Sequence, residues 1–185
     1  MIAIIIVAVL VVLLVLVLIG VNNSMIGARN RCEEAWSGID VQLKRRHDLV
    51  PNLVETVKGY AAHERETFQR VTEARAEAMK ARGPAEAGRA EARLSAVLGD
   101  LRAISENYPE LRATENFQQL SRNLSELEDE IQAARRIYNS NVQAYNTKIQ
   151  VFPNSIVASM RNFEPKEFFE ITEAADREPA KVSFS

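Results

Sequence analysis

The amino-acid sequence predicts an all-α protein, an N-terminal single transmembrane helix followed by an antiparallel bundle of long helices. Three observations lead to that fold class. Residues 2–21, IAIIIVAVLVVLLVLVLIGV, run for 20 residues without a charged or polar side chain. As a helix such a run is about 30 Å long, the thickness of a bilayer's hydrocarbon core. Beyond it the chain is rich in Ala, Glu, Arg and Leu and poor in breakers, with 7 Gly and 6 Pro in 185 residues, a composition that favours helix. Finally, apolar residues recur at steps of three and four over long stretches, as in helices that bury one stripe.

The apolar run reads as a retained anchor and not as a cleaved leader. A leader has a basic n-region, an apolar core of about 7 to 15 residues and a small-residue cleavage site. Here Ile2 follows Met1 directly, the core is longer, and Ser24 to Ala28 is a poor cleavage match. The expected organisation is an anchor over 1–23, a helical bundle domain over 24–175, and a flexible tail over 176–185 that contains Pro179. Arg29 and Arg31 follow the span, and Lys44, Arg45 and Arg46 lie further on. By the positive-inside rule they favour a cytoplasmic soluble domain on a single-pass protein of the cell membrane.

Along the soluble part, Trp36, Ile39, Leu43, Val50, Leu53, Val54, Val57 and Ala61 mark an amphipathic helix, and Phe68 and Val71 resume its pattern. The sequence predicts one helix over about 29–82, kinked at Pro51, because proline removes a donor and frees the carbonyl one turn back. Residues 65–82 are charged and their apolar stripe thins, so this end is expected to project from the bundle and fray. Gly83 and Pro84 stop one helix and start the next. A second helix over 85–106 carries Leu94, Val97, Leu98, Leu101 and Ile104, and Asn107 closes it before Pro109. The third, over 113–150, has the strongest period, from Phe117 and Leu120 through Ile131 and Tyr138 to Ile149, with Thr114 as its cap. Pro153 interrupts, Asn154 or Ser155 starts a short fourth helix with Ile156, Val157 and Met160, and EFFEI at 167–171 supplies aromatics for docking onto the bundle.

The chemistry-bearing residues are few. Lys and Arg total 23 against 25 Asp and Glu, so the basic surplus of a sequence-independent nucleic-acid binder is missing. Cys32 stands alone, which excludes an intrachain disulfide and leaves a small buried hydrophobe or an exposed crosslinking thiol. His47 and His63 are 16 residues apart, about 24 Å on one helix. Neither has the Glu three residues earlier that a di-iron bundle requires, those positions being Lys44 and Tyr60. No nucleophile elbow and no glycine-rich phosphate loop is present. No catalytic residue, cofactor or metal ligand is therefore assigned. His47, near the apolar stripe, reads as a packed or rim histidine in an ordinary hydrogen bond.

Two patterns remain. Lys44, Arg45 and Arg46 form a short basic run, either solvated and paired with Asp40 and Asp48 or a docking patch for a partner. Tyr138-Asn139 returns seven residues later as Tyr145-Asn146, on nearly the same helical face. The tyrosines can bury their rings while their hydroxyls find partners. Specific packing is one account and a recognition surface the other.

The segments WSGIDVQLKRRHDLVPNLV (Trp36–Val54), VKGYAAHE (Val57–Glu64), ENYPEL (Glu106–Leu111), Asn116-Phe117, ARRIYN (Ala134–Asn139) through Tyr145-Asn146, Phe152-Pro153 and Phe168-Phe169-Glu170 together resemble the LemA family of bacterial membrane-associated proteins. The resemblance covers nearly the entire chain. It implies a short N-terminal membrane segment and an all-α domain of long antiparallel helices, with no catalytic activity assigned and so no catalytic residue to carry over. Its QLKRRHDLVPNL motif implies a functional surface over residues 42–54, with Lys44, Arg45, Arg46, His47, Asp48 and Asn52 as candidates, joined by Tyr138, Asn139, Tyr145 and Asn146. The expected function is a non-enzymatic, membrane-tethered scaffold or adaptor that contacts the lipid bilayer through residues 2–21, shows helical faces to an unidentified protein partner, and binds no nucleic acid. Two alternatives compete with it. One is a metal-binding or enzymatic module using His47, His63 and nearby carboxylates. The other is a structural envelope protein acting by homo-oligomerisation, which a run without GxxxG supports poorly at the anchor.

Overall fold

Helix is the only regular structure over residues 1–171, the part of the chain that the computed structural model describes. In order these are α1 (Ile2–Lys58), α2 (Arg65–Lys80), α3 (Gly83–Glu106), α4 (Pro109–Ala113), α5 (Glu115–Gln150) and α6 (Asn154–Met160). The expected flexible tail, 176–185, lies outside the described residues.

Residues 2–19 of α1 are exposed along their whole length. A continuous sleeve of Ile, Val and Leu with no protein against it is the surface that a hydrocarbon environment covers. Among the described residues α1 is the one helix long and apolar enough to cross a membrane.

Pro51 does not end α1, which continues to Lys58. The proline leaves the His47 carbonyl without its usual donor, and the Nε of Arg75 supplies one at 2.7 Å. The break comes instead at Gly59–Glu64. There Tyr60 and Ala61 donate to the Val57 carbonyl and Ala61 is buried. The single kinked helix expected over 29–82 is therefore two helices. The expected fraying of 65–82 is also corrected: Phe68, Val71, Ala74 and Ala78 of α2 are buried. The stripe looked thin in the sequence because alanines form half of it, and small side chains let α2 approach α3 closely.

The chain forms two compact units. Unit 2, Ile39–Arg135 with residues 168–171, holds a core of Val50, Leu53, Val54 and Val57 from α1, Phe68 and Val71 from α2, Leu94 and Leu101 from α3, Leu111 from α4, and Phe117 and Leu120 from α5. Gly83, with φ 76°, turns the chain between α2 and α3, and the Arg82 amide donates to Glu86 Oε2 at 2.9 Å to close the start of α3. Asn107 is the C-cap of α3. The third predicted helix, 113–150, is α5, preceded by a short extra helix over Pro109–Ala113. α4 is a single turn, and α5 starts afresh where the Thr114 hydroxyl accepts from the Phe117 amide at 3.4 Å. Phe169 is fully buried, so the second aromatic of EFFEI docks as expected. The neighbouring Glu170 backbone passes so close to α3 at Gly88 that a Cβ there would collide with its carbonyl.

Unit 1, Met1–Gly38 and Arg136–Glu167, buries Met25, Ala28 and Cys32 from α1, Tyr138, Val142, Tyr145 and Ile149 from α5, and Val157 and Ala158 from α6. The Trp36 ring lies against Tyr138, centroids 5.5 Å apart. Lys148 reaches Ser24 Oγ at 2.8 Å, which ties α5 to α1 just past the apolar run. After α6 the chain runs without regular structure to Glu167.

Candidate functional site

The two groups of residues singled out in the sequence fall in different units. In unit 2, helical geometry splits the motif around Pro51 between two faces of α1. Lys44, Arg45, Asp48 and Asn52 are exposed, while Arg46 and His47 are buried, at 3% and 8% exposure. The buried pair meets Glu91 of α3, itself 1% exposed. His47 Nε2 lies 2.6 Å from Glu91 Oε1 and Arg46 Nη1 lies 3.2 Å from Oε2. The other guanidinium nitrogen, Nη2, donates to Ser95 Oγ at 2.7 Å and stands 3.4 Å from Glu128 Oε2 of α5. The packed histidine is thus realised with a carboxylate partner.

Both Glu91 oxygens face cationic or N–H groups, so the carboxylate's desolvation is compensated as a buried charge requires. Four elements meet at this point: α1, α3 and α5 through side chains, and α2 through Arg75 on the His47 carbonyl. Glu91, Ser95, Glu128 and Arg75 were not among the sequence candidates. One signal was available for Glu91. It sits on the buried stripe of α3 between Ala87 and Leu94, where a charged residue needs a buried partner.

Beside this cluster, a cleft of about 300 Å³ opens between α3 and α5 over Leu53, Leu98, Leu101, Phe117 and Leu124, with Arg46, Ser95 and Glu128 among its polar walls. On the exposed side, a shallower depression of about 430 Å³ is lined by Arg45, Asp48 and Leu49 of α1 and by Asn123, Glu126, Leu127 and Glu130 of α5. Arg45 lies 3.8 Å from Glu130 across it. Its floor is Leu49 and Leu127 and its rim carries three carboxylates against one guanidinium. His63 is exposed in the connection between α1 and α2. Among the described residues no group of three or more His, Cys, Asp or Glu is placed to hold a metal ion.

In unit 1 the repeated Tyr-Asn pair grips the chain's own returning segment. Tyr138 donates its hydroxyl to the Glu167 carbonyl at 2.8 Å, and Tyr145 to the Glu164 carbonyl at 3.0 Å. Asn146 makes two bonds to one residue, its Nδ2 donating to the Lys166 carbonyl at 2.9 Å and its Oδ1 accepting from the Lys166 amide at 2.8 Å. Asn139 is half-buried. The seven-residue repeat thus matches the advance of an extended strap along α5. Burial pushes the Tyr138 phenol up to about 12, with Cys32 and Glu167 adding to the shift. Tyr145 is raised for the same first reason, and so is the Cys32 thiol. Cys32 is fully buried, the small-hydrophobe reading.

Residues 35–184 match the LemA family. Protein LemA of Metamycoplasma hominis is 28% identical over 161 residues, which cover 85% of this chain and 72% of that protein. Magnetosome protein MamQ 2 of Paramagnetospirillum magneticum and Magnetosome protein MamQ of Magnetospirillum gryphiswaldense are each 26% identical over 180 residues, covering 83% of this chain and 66% of each relative. The chain thus spans about two thirds of the length of the MamQ relatives.

Proposed function

The chain belongs to the LemA family, and from that premise we propose that it is a non-enzymatic, membrane-tethered scaffold that offers the exposed α1–α5 face of unit 2 to a protein partner. The observation that carries this reading is the depression lined by Arg45, Asp48, Glu126 and Glu130 over Leu49 and Leu127. An apolar floor within a charged rim is the anatomy of a protein contact. Its acidic balance favours a basic segment of the partner. On the same helix, Arg46 and His47 face inward and are committed to Glu91, Ser95 and Glu128, which supports a structural role for the buried polar groups in place of acid–base chemistry. With residues 2–21 in the bilayer, the basic residues Arg29 and Arg31 favour a cytoplasmic position for the helical units.

The test is photo-crosslinking in cells from positions 45 and 126, in the native chain and in the charge reversal Asp48→Lys, Glu126→Lys, Glu130→Lys, with position 45 alone used in the latter. The expected result is a discrete crosslinked protein that the reversal abolishes. Identical product patterns from the two chains would remove this face from the proposal.

A further inference from the structure

We propose that α6 and the turn before it form a second membrane contact, an interfacial helix that lies in the headgroup layer beside the point where α1 leaves the bilayer. The proposal rests on the reading of residues 2–21 as membrane-spanning, and it adds a surface that this reading does not contain.

Three independent observations meet in unit 1. The first is where the apolar exposure is. Beyond Ile19, eight large apolar side chains are exposed among the described residues, and four of them, Val151, Phe152, Ile156 and Met160, fall within ten residues. Phe152 is 80% exposed and Met160 72%, so these are side chains held outward and not rim residues of a core. Val157 and Ala158, on the inner face of the same short helix, are buried, so the outward residues form the opposite face of a docked element.

The second is the level at which α6 lies. Val157 and Met160 share one shallow cavity with Val15, Leu18 and Ile19 of α1. Val15 is six residues before the end of the apolar run at Val21, about 9 Å along a helix. An α1 that spans with residues 2–21 therefore carries its neighbour α6 to the edge of the hydrocarbon. Whatever covers the last turns of the span also reaches the outer face of α6, and that occupant is the bilayer.

The third is charge. Within unit 1, residues 137–163 contain Lys148 and Arg161 and no Asp or Glu, and residues 1–32 contain Arg29 and Arg31 and again no acid. A basic end with an apolar patch suits the interface of a membrane that contains anionic lipid, where apolar side chains enter the acyl boundary and cations stay among the headgroups.

The experiment uses the full chain with Cys32→Ser and a single introduced cysteine, Phe152→Cys, Met160→Cys or Leu10→Cys, each carrying a nitroxide. The chain is reconstituted in vesicles of phosphatidylcholine with phosphatidylglycerol. Collision with oxygen, which concentrates in hydrocarbon, is compared with collision with a water-soluble nickel chelate. The expected result is that oxygen relaxes the labels at 152 and 160 several-fold more strongly than the chelate does, as it does the label at 10. Labels at 152 and 160 that the chelate reaches freely, with the label at 10 still in hydrocarbon, would overturn the interfacial helix and leave the anchor standing. Labels at 152 and 160 shielded from both reagents would also overturn it, since a protein surface would then cover the patch. A label at 10 in water would overturn the anchor and the interfacial helix together.

Discussion

Glu91 holds the polar cluster of unit 2 together, because its two oxygens face Arg46 and His47 and all three side chains are buried. Glu91→Ala removes the buried carboxylate from the Arg46 guanidinium, leaving it Ser95 and the partly exposed Glu128, and loss of one partner of a buried pair costs up to about 3–5 kcal/mol. Glu128 approaches the same guanidinium with a side chain 39% exposed; Glu128→Ala is expected to cost about 1 kcal/mol or less. Denaturant unfolding in detergent, followed by Trp36 fluorescence, ranks the two variants; equal losses would contradict this account of the cluster. Tyr138 is the residue to probe with pH. Its folded-state value of about 12 lies above the ordinary phenol value of about 10, so the folded chain keeps a proton that the unfolded chain releases. The stability linked to this group is complete below about pH 10 and is lost as pH rises from there towards 12. Tyr138→Phe removes the titrating hydroxyl, and its stability is expected to fall less steeply over that window than the native chain's, measured by the same unfolding series. Both sites show the same limit of sequence reading. His47 and the Tyr-Asn repeat stood out by residue type and spacing, but Glu91 and the Glu164–Glu167 backbone are remote in sequence from the groups they bind.

Proline inside α1 is tolerated because another helix makes good the loss. Pro51 cannot donate to the His47 carbonyl, and Arg75 of α2 does so at 2.7 Å. Arg75→Ala is expected to destabilise the chain by about 1–2 kcal/mol. Pro51→Ala restores the intrahelical donor, so Arg75→Ala in that background is expected to cost less. A double-mutant cycle measures the difference, and purely additive effects would mean that the two residues act separately. Gly88 shows the same dependence between elements. Its missing side chain is what admits the Glu170 carbonyl, and Gly88→Ala is expected to destabilise unit 2 by about 1–3 kcal/mol through overpacking, with faster amide exchange around Phe169. Most element positions were legible: the run at 2–21, the Gly83-Pro84 start, the Asn107 close, the Thr114 cap and the short helix at 154. The break after Lys58 and the docking of α2 were not. Pro51 is the stronger breaker by residue type, a lone glycine such as Gly59 weakens a helix far less than a proline does, and a stripe built on alanine carries little hydrophobic contrast.

At the scale of the molecule, an apolar helix exposed over 2–19 and a LemA-family helical protein beyond it make membrane association the organising property of the chain. Deletion of residues 2–21 is expected to move the protein from the carbonate-resistant membrane fraction to the soluble fraction. Its far-UV circular dichroism should keep the minima of a mainly helical chain, because the buried residues of unit 1 begin at Met25. Retention of the deleted protein in carbonate-washed membranes would mean that residues 2–21 are not its anchor.

The sequence by itself determined the helical class, the N-terminal apolar helix, most helix ends and the family resemblance. These are properties of contiguous residues: length without charge, a period of three to four, and local capping chemistry. Tertiary structure decided which of two adjacent residues, Arg45 or Arg46, faces water, which distant carboxylate receives His47, and what the paired tyrosines hold. Those outcomes depend on how helices are rotated against one another. A step of one residue turns a side chain about 100° around the helix, and only the packing of neighbouring helices fixes which direction is inward.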